Sequence, residues 1–204
     1  MTDPTKVSGR KPRHQKTSNA ATDDLEAALR AASVGQRASV DNPAWRVERP
    51  APWPFKAQDI SPLAWWRTLP SDLFRDPERL LVLATLDGIT VLNGGAECAA
   101  ALKANAIAAI GLTLSFVPIT EMTLKTDIAM TALLRCALAG DAAAALVLAQ
   151  ILGLTDLGHA YGTELAASWY THGLRHSANP RKFSQAGTTL LAALRERERD
   201  GDRA

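Results

Sequence analysis

The sequence predicts an α/β (α+β) domain: a small mixed β-sheet with a β-hairpin and one packed helix, followed by a helical C-terminal half. Three observations predict it. Asp87-Gly88 lies between two apolar runs, residues 80–86 and 89–92. Asp-Gly in that setting is the strongest short-range hairpin signal, because a type I′ turn needs positive φ at both central residues. Residues 110–117 alternate Leu112, Leu114 and Phe116 with Gly111, Thr113 and Ser115, the period of two that marks a half-buried strand. Between them, after the paired glycines Gly94-Gly95, residues 96 to about 105 are rich in alanine and read as a helix. The order β-β-α-β makes a mixed sheet with a helix on one face. A continuous helix through Gly88 is the competing reading. Glycine costs about 1 kcal/mol against alanine there, and Ile89, Thr90 and Val91 are β-branched.

The other elements follow in chain order. Residues 1–42 form a basic N-terminal arm without aromatic residues, a composition that predicts disorder. A short helix at 24–32, capped by Thr22 or Asp23, is its one candidate element. Residues 43–70 form a strap that holds Trp45, Trp53, Trp65 and Trp66. Its prolines, Pro43, Pro50, Pro52, Pro54, Pro62 and Pro70, forbid a long helix. The tryptophans are expected to pin the strap to the core; the alternative is an exposed aromatic surface for a proline-rich or nucleic-acid partner. Residues 71–79 suit a helical turn capped by Ser71, with Asp76 or Glu78 near its start. Together, 71–119 make the α/β core.

Residues 120–199 read as helices packed on the same core. They run over 120–138, 141–152, 164–176 and about 183–199, with breaks at Gly140-Asp141 and Asn179-Pro180. The charge-alternating end, Arg195 to Asp200, is a solvated terminus, and 201–204 complete the tail.

The chain has 204 residues, 47% of them hydrophobic and a net charge of +2, enough for one domain with a real core. The charge is segregated. Lys6, Arg10, Lys11, Arg13 and Lys16 stand against Asp3 within residues 1–22, a local charge of +4 that leaves −2 for the rest. Such an arm suits salt-dependent contact with a phosphate backbone, or it is a solubilising tail. No secretory h-region is expected. The apolar windows 104–119 and 137–154 contain Asn105 and Asp141, and a span needs ~20 mostly apolar residues. No membrane role is therefore expected. Two unpaired cysteines, Cys98 and Cys136, fit a reducing compartment, most simply the cytoplasm.

The turn and helix at 94–111 resemble the N-terminal domain shared by ParB-type partition proteins and sulfiredoxin. Gly95 takes the family's glycine position, and Ala101, Lys103, Ile107 and Ile110 fall on its helix pattern. Ala106 stands where glycine is usual and Gly111 where proline is usual. The resemblance implies a phosphate-binding turn at Gly94, Gly95, Ala96, Glu97 and Cys98. Ala96, Glu97 and Cys98 replace the acidic or histidine position and the arginines that hold phosphate in the family. A carboxylate at Glu97 favours a helix N-terminus but repels phosphate there. The turn is thus a degenerate one, without catalytic residues or cofactor, and Cys98 is the residual thiol candidate.

Residues 138–177 are similar to one helical hairpin of the tetratricopeptide-related repeats. Such folds stack about three copies, so two packed helices are expected. His172 and His176, four apart, share a helix face and could pair on a metal, with His159 or Glu164 as third ligand; a polar face near a helix C-terminus is the simpler reading, and no metal is expected. Tyr161, Trp169, Tyr170 and Arg175 are either an aromatic-basic surface or, more simply, core and its margin.

These readings point to a non-catalytic, DNA-associated or partition-like accessory protein of ParB-like fold. Its arm would touch DNA and its helical half would hold a protein partner or itself. The alternative is a protein-interaction or assembly module without a nucleic-acid role. A thiol- or phosphate-dependent enzyme ranks last.

Overall fold

The computed structural model describes residues 52–90 and 95–201. Three 3₁₀ turns, Ala57–Asp59, Pro62–Arg67 and Ser71–Leu73, lead into seven described helices. These are α1 (Asp76–Asp87), α2 (Gly95–Leu102), α3 (Ala106–Leu114), α4 (Leu124–Leu138), α5 (Ala142–Leu154), α6 (Gly162–His176) and α7 (Pro180–Gly201). Among the described residues there is no strand. The α/β expectation is overturned: the region is all helical.

The first proposed strand, 80–86, lies inside α1. Pro77 sits in its first turn, where a missing N–H is harmless. The Glu78 carboxylate accepts the Arg75 N–H at 3.0 Å. Val82 and Leu86, four apart, are the two buried positions, the helical period rather than alternation. Gly88 has φ −77° and ends the helix, donating its N–H to the Ala84 carbonyl. The positive φ of a type I′ turn is absent, and helix propagation has overridden the Asp-Gly signal. Ile89 and Thr90 follow without regular structure, and the rest of the second proposed strand, 91–92, lies outside the described residues.

The third proposed strand, 110–117, is divided between α3 and the loop after it. The Asn105 side chain caps α3, accepting the Ala108 N–H at 3.0 Å. Its buried residues are Ala109 and Thr113. Thr113 donates its hydroxyl to the Ala129 carbonyl at 3.3 Å inside the core. Thr113, on the outward side of the expected alternation, is buried, four residues from Ala109 at helical spacing. The first strand of the expected hairpin and most of the third strand are helical, so the mixed sheet is not formed among the described residues.

The core centres on α5. Its residues 144–149, 151 and 152 are all buried, so most of its circumference must be covered by neighbours. Glycines and alanines let its neighbours approach. Gly153 faces Ala166, Gly162 faces the Leu152 carbonyl, and Gly173 faces Ala145. This order makes α5 and α6 antiparallel. The link from α4 to α5 is short because two motifs overlap. Gly140 (φ +92°) donates to the Ala137 carbonyl and Asp141 to the Cys136 carbonyl, closing α4. The Asp141 side chain then caps α5, accepting the Ala144 N–H at 2.8 Å.

Residues 52–74 run across the bundle, held by indole hydrogen bonds. Trp53 donates to the Thr68 carbonyl at 2.8 Å and Trp65 to the Ile60 carbonyl at 3.0 Å. Trp66, wholly buried, donates to Asp127 Oδ1 at 2.8 Å. Arg67 also reaches both Asp127 oxygens, at 3.3 and 3.4 Å. Asp127 stands in the first turn of α4, where the helix dipole favours a carboxylate. Trp45 lies outside the described residues.

Two substitutions test this packing. Asp127→Ala leaves the Trp66 N–H and the Arg67 guanidinium unpaired in a partly buried place. It should lower unfolding free energy by about 2 kcal/mol, read from urea midpoints. At Gly173 an added Cβ would lie 2.8 Å from Phe183 and 3.0 Å from Ala145. Overpacking should outweigh the gain in helix propensity, so Gly173→Ala should destabilise by about 1–2 kcal/mol in the same assay.

Candidate functional site

The residues singled out in the sequence do not assemble one centre. Lys6, Arg10, Lys11, Arg13, Lys16 and Gly94 lie outside the described residues. Gly95 opens α2 with φ +66°, followed by exposed Ala96 and Glu97 and half-buried Cys98. The first turn of α2 is therefore acidic, which disfavours phosphate there. Cys136 is buried in α4, and burial together with the nearby Asp141 pushes its thiol up to about 11, against the opposing pull of Arg135. A thiol so protonated is a poor nucleophile.

The histidines are occupied structurally. His159 Nε2 bonds the Arg67 carbonyl at 2.8 Å and its Nδ1 accepts the Tyr161 N–H at 3.2 Å, which uses both ring nitrogens. His172, buried, holds the Ala137 carbonyl through Nε2 at 3.1 Å. His176 Nδ1 bonds the His172 carbonyl at 2.9 Å. Glu164 is exposed in the first turn of α6, and twelve residues of helix, about 18 Å, separate it from His176. Among the described residues no three His, Cys, Asp or Glu side chains gather as a metal site. Trp169 is wholly buried, Tyr170 stacks on Phe183 at 5.2 Å, and Tyr161 packs on Trp53 at 5.3 Å. They serve packing rather than one aromatic face.

The feature that does assemble is a trough along α1. One cavity of about 320 Å³ lies between α1 and the end of α4, lined by Arg79, Val82, Leu83, Ala104, Arg135, Leu138 and Ala139. A second, of about 380 Å³, continues along α1 and is lined by Leu86, Asp87, Ile89, Ala99, Leu102 and Lys103. Arg135 lines the first and is bonded to two residues that line the second. Its Nη1 donates to Asp87 Oδ1 at 3.1 Å and to the Leu102 carbonyl. Arg79 and Lys103 mark the two ends, and among the described residues neither pairs with a carboxylate. Ala104 on the rim has φ +63°. It closes α2 through bonds from its own N–H to Ala101 and from the Asn105 N–H to Ala100, a place where glycine is the relaxed choice.

Sequence reading missed this trough because it placed 80–86 in a strand. The signal was present in the competing helix: Arg79, Val82, Leu83 and Leu86 share one face at helical spacing.

No family model, characterised protein or solved structure matches the chain, so its function is read from its own geometry. Among the described residues no helix is long and apolar enough to cross a membrane.

His172 supplies a pH prediction. Burial, aided by His176, Arg79 and Arg175, lowers its pKa below 6.5, against the pull of the Ala137 carbonyl. The unfolded chain therefore binds this proton more readily than the folded one. The stability it contributes is complete above the unfolded pKa and is lost as pH falls through the folded one. Urea midpoints should fall from about pH 7.5 to about pH 5.5, and His172→Gln should flatten that dependence.

Proposed function

We propose that this chain is a non-catalytic protein-interaction module, whose helical domain captures a partner rather than transforming a substrate. The observation that carries this reading is the trough. It sets two cavities with aliphatic lining in succession along α1, with the Arg135–Asp87 pair linking their walls and the cations Arg79 and Lys103 on their rims. Binding surfaces combine such apolar pockets with a polar rim. The buried, protonated Cys136 and the structurally occupied histidines support a binding role over thiol or acid-base chemistry.

A second reading has its own support, the charge of +4 within residues 1–22. A basic arm of that kind suits sequence-independent contact with DNA. The two readings part in one pair of measurements, on the full chain and on the chain lacking residues 1–22. Fluorescence anisotropy with labelled duplex DNA at low and physiological salt reads the arm. Sedimentation and affinity capture read protein association. The interaction module expects capture or self-association that survives removal of the arm. Salt-sensitive DNA binding lost with the arm, without any protein association, would instead assign the chain to DNA.

A further inference from the structure

We infer that the α1 trough receives an amphipathic helix of a partner protein, anchored by two apolar side chains about two turns apart and acidic at both ends. This rests on the protein-interaction reading and names the partner's chemistry.

The spacing comes from α1. Arg79 to Asp87 covers about 12 Å of helix axis, and the two cavities lie in succession along it. A partner helix advances about 10 Å in seven residues, so side chains at i and i+7 reach both cavities. Helix-in-groove recognition uses such anchors. The floors are aliphatic, Val82, Leu83 and Leu138 in one and Leu86, Ile89 and Leu102 in the other. Each cavity takes an aliphatic anchor.

The ends set the charge. Arg79 lies at the first cavity and Lys103 at the second, both exposed. The carboxylate within the trough, Asp87, is paired with Arg135. A partner helix with a glutamate or aspartate beyond each anchor meets a cation at both ends, whereas a basic helix meets like charge. Charge complementarity thus favours an acidic helix and raises its rate of encounter. Arg135 is tied by Asp87 and by the Leu102 carbonyl. That tie is therefore in place before a partner arrives.

The test uses the full chain and a fluorescein-labelled helical peptide on an alanine-glutamine background. The peptide carries two leucines seven residues apart and a glutamate one turn beyond each. Anisotropy should show saturable binding, weakened about tenfold when either leucine becomes alanine. Leu83→Glu in the protein should abolish it. Arg79→Glu and Lys103→Glu, both at exposed positions, should weaken it, and lysine at the facing peptide end should restore binding to each. Tryptophan fluorescence verifies that each variant is folded. Absence of binding, indifference to the leucine spacing, or binding that tolerates the charge reversals overturns the inference. Self-association lost in Leu83→Glu without peptide binding also overturns it, assigning the trough to a second copy. Partner capture that persists in Leu83→Glu would leave the interaction module standing and remove only the trough.

Discussion

The described structure depends on one helix that is buried around most of its circumference. Residues 144–149, 151 and 152 of α5 are buried, and the stripe of Ala143, Gln150 and Gly153 is left exposed or half-buried. Helices α3, α4, α6 and α7 all pack on it. Close approach to it requires small side chains. Gly153, Gly162 and Gly173 bring α5 and α6 together, and Gly187 of α7 meets Leu146. Such close-packed contacts recover the dispersion energy that a gap would lose. The arrangement also explains where the molecule is less filled. Helix α1 packs chiefly on α4 and the Pro62–Arg67 turn, one layer out from α5. The seam beside it is left open as two cavities, and the trough follows from the order of the layers.

Polar groups are managed by a few well-placed acceptors. Asp127 collects the Trp66 indole and the Arg67 guanidinium, while Thr131 of α4 donates to the Leu63 carbonyl at 3.0 Å. The Ser71 N–H and hydroxyl meet Ser168 of α6 at 2.9 Å. The proline-rich strap cannot satisfy its own backbone as a long helix would, so its order depends on α4 and α6. Indole N–H groups, which need partners when buried, find them within the strap for Trp53 and Trp65 and on α4 for Trp66. Trp169 Nε1 alone among the described buried side-chain polar atoms has no partner, and nothing in the structure explains it.

The trough combines tethered and strained parts. Its centre is rigid, because Arg135 is held by two acceptors. Its rim includes Ala104 in the left-handed region, a conformation that costs about 1 kcal/mol or more for a residue with a Cβ. The exposed face of α1 opposite the core carries Leu80 and Leu81, which are 63% and 51% exposed.

Local sequence alone determined the helices of the C-terminal half, their breaks at Gly140-Asp141 and Asn179-Pro180, and the burial of Trp65, Trp66 and Trp169. Those features follow from propensity, caps and aromatic area, which act within a few residues. It did not determine 80–86 or 110–117. Short apolar runs fit either a strand or one face of a helix, and Asp-Gly fits either a hairpin or a helix end. The choice was made by what the runs pack against. Val82 and Leu86 are buried together only at a spacing of four, and Thr113 finds its acceptor only because α3 lies on α4 at Ala129. The candidate site was hidden for the same reason. A trough is a relation between Arg79, Leu83, Arg135 and Lys103, residues up to 56 positions apart. Only the tertiary structure brings them into one seam, because only packing against α4 decides which face of α1 is covered.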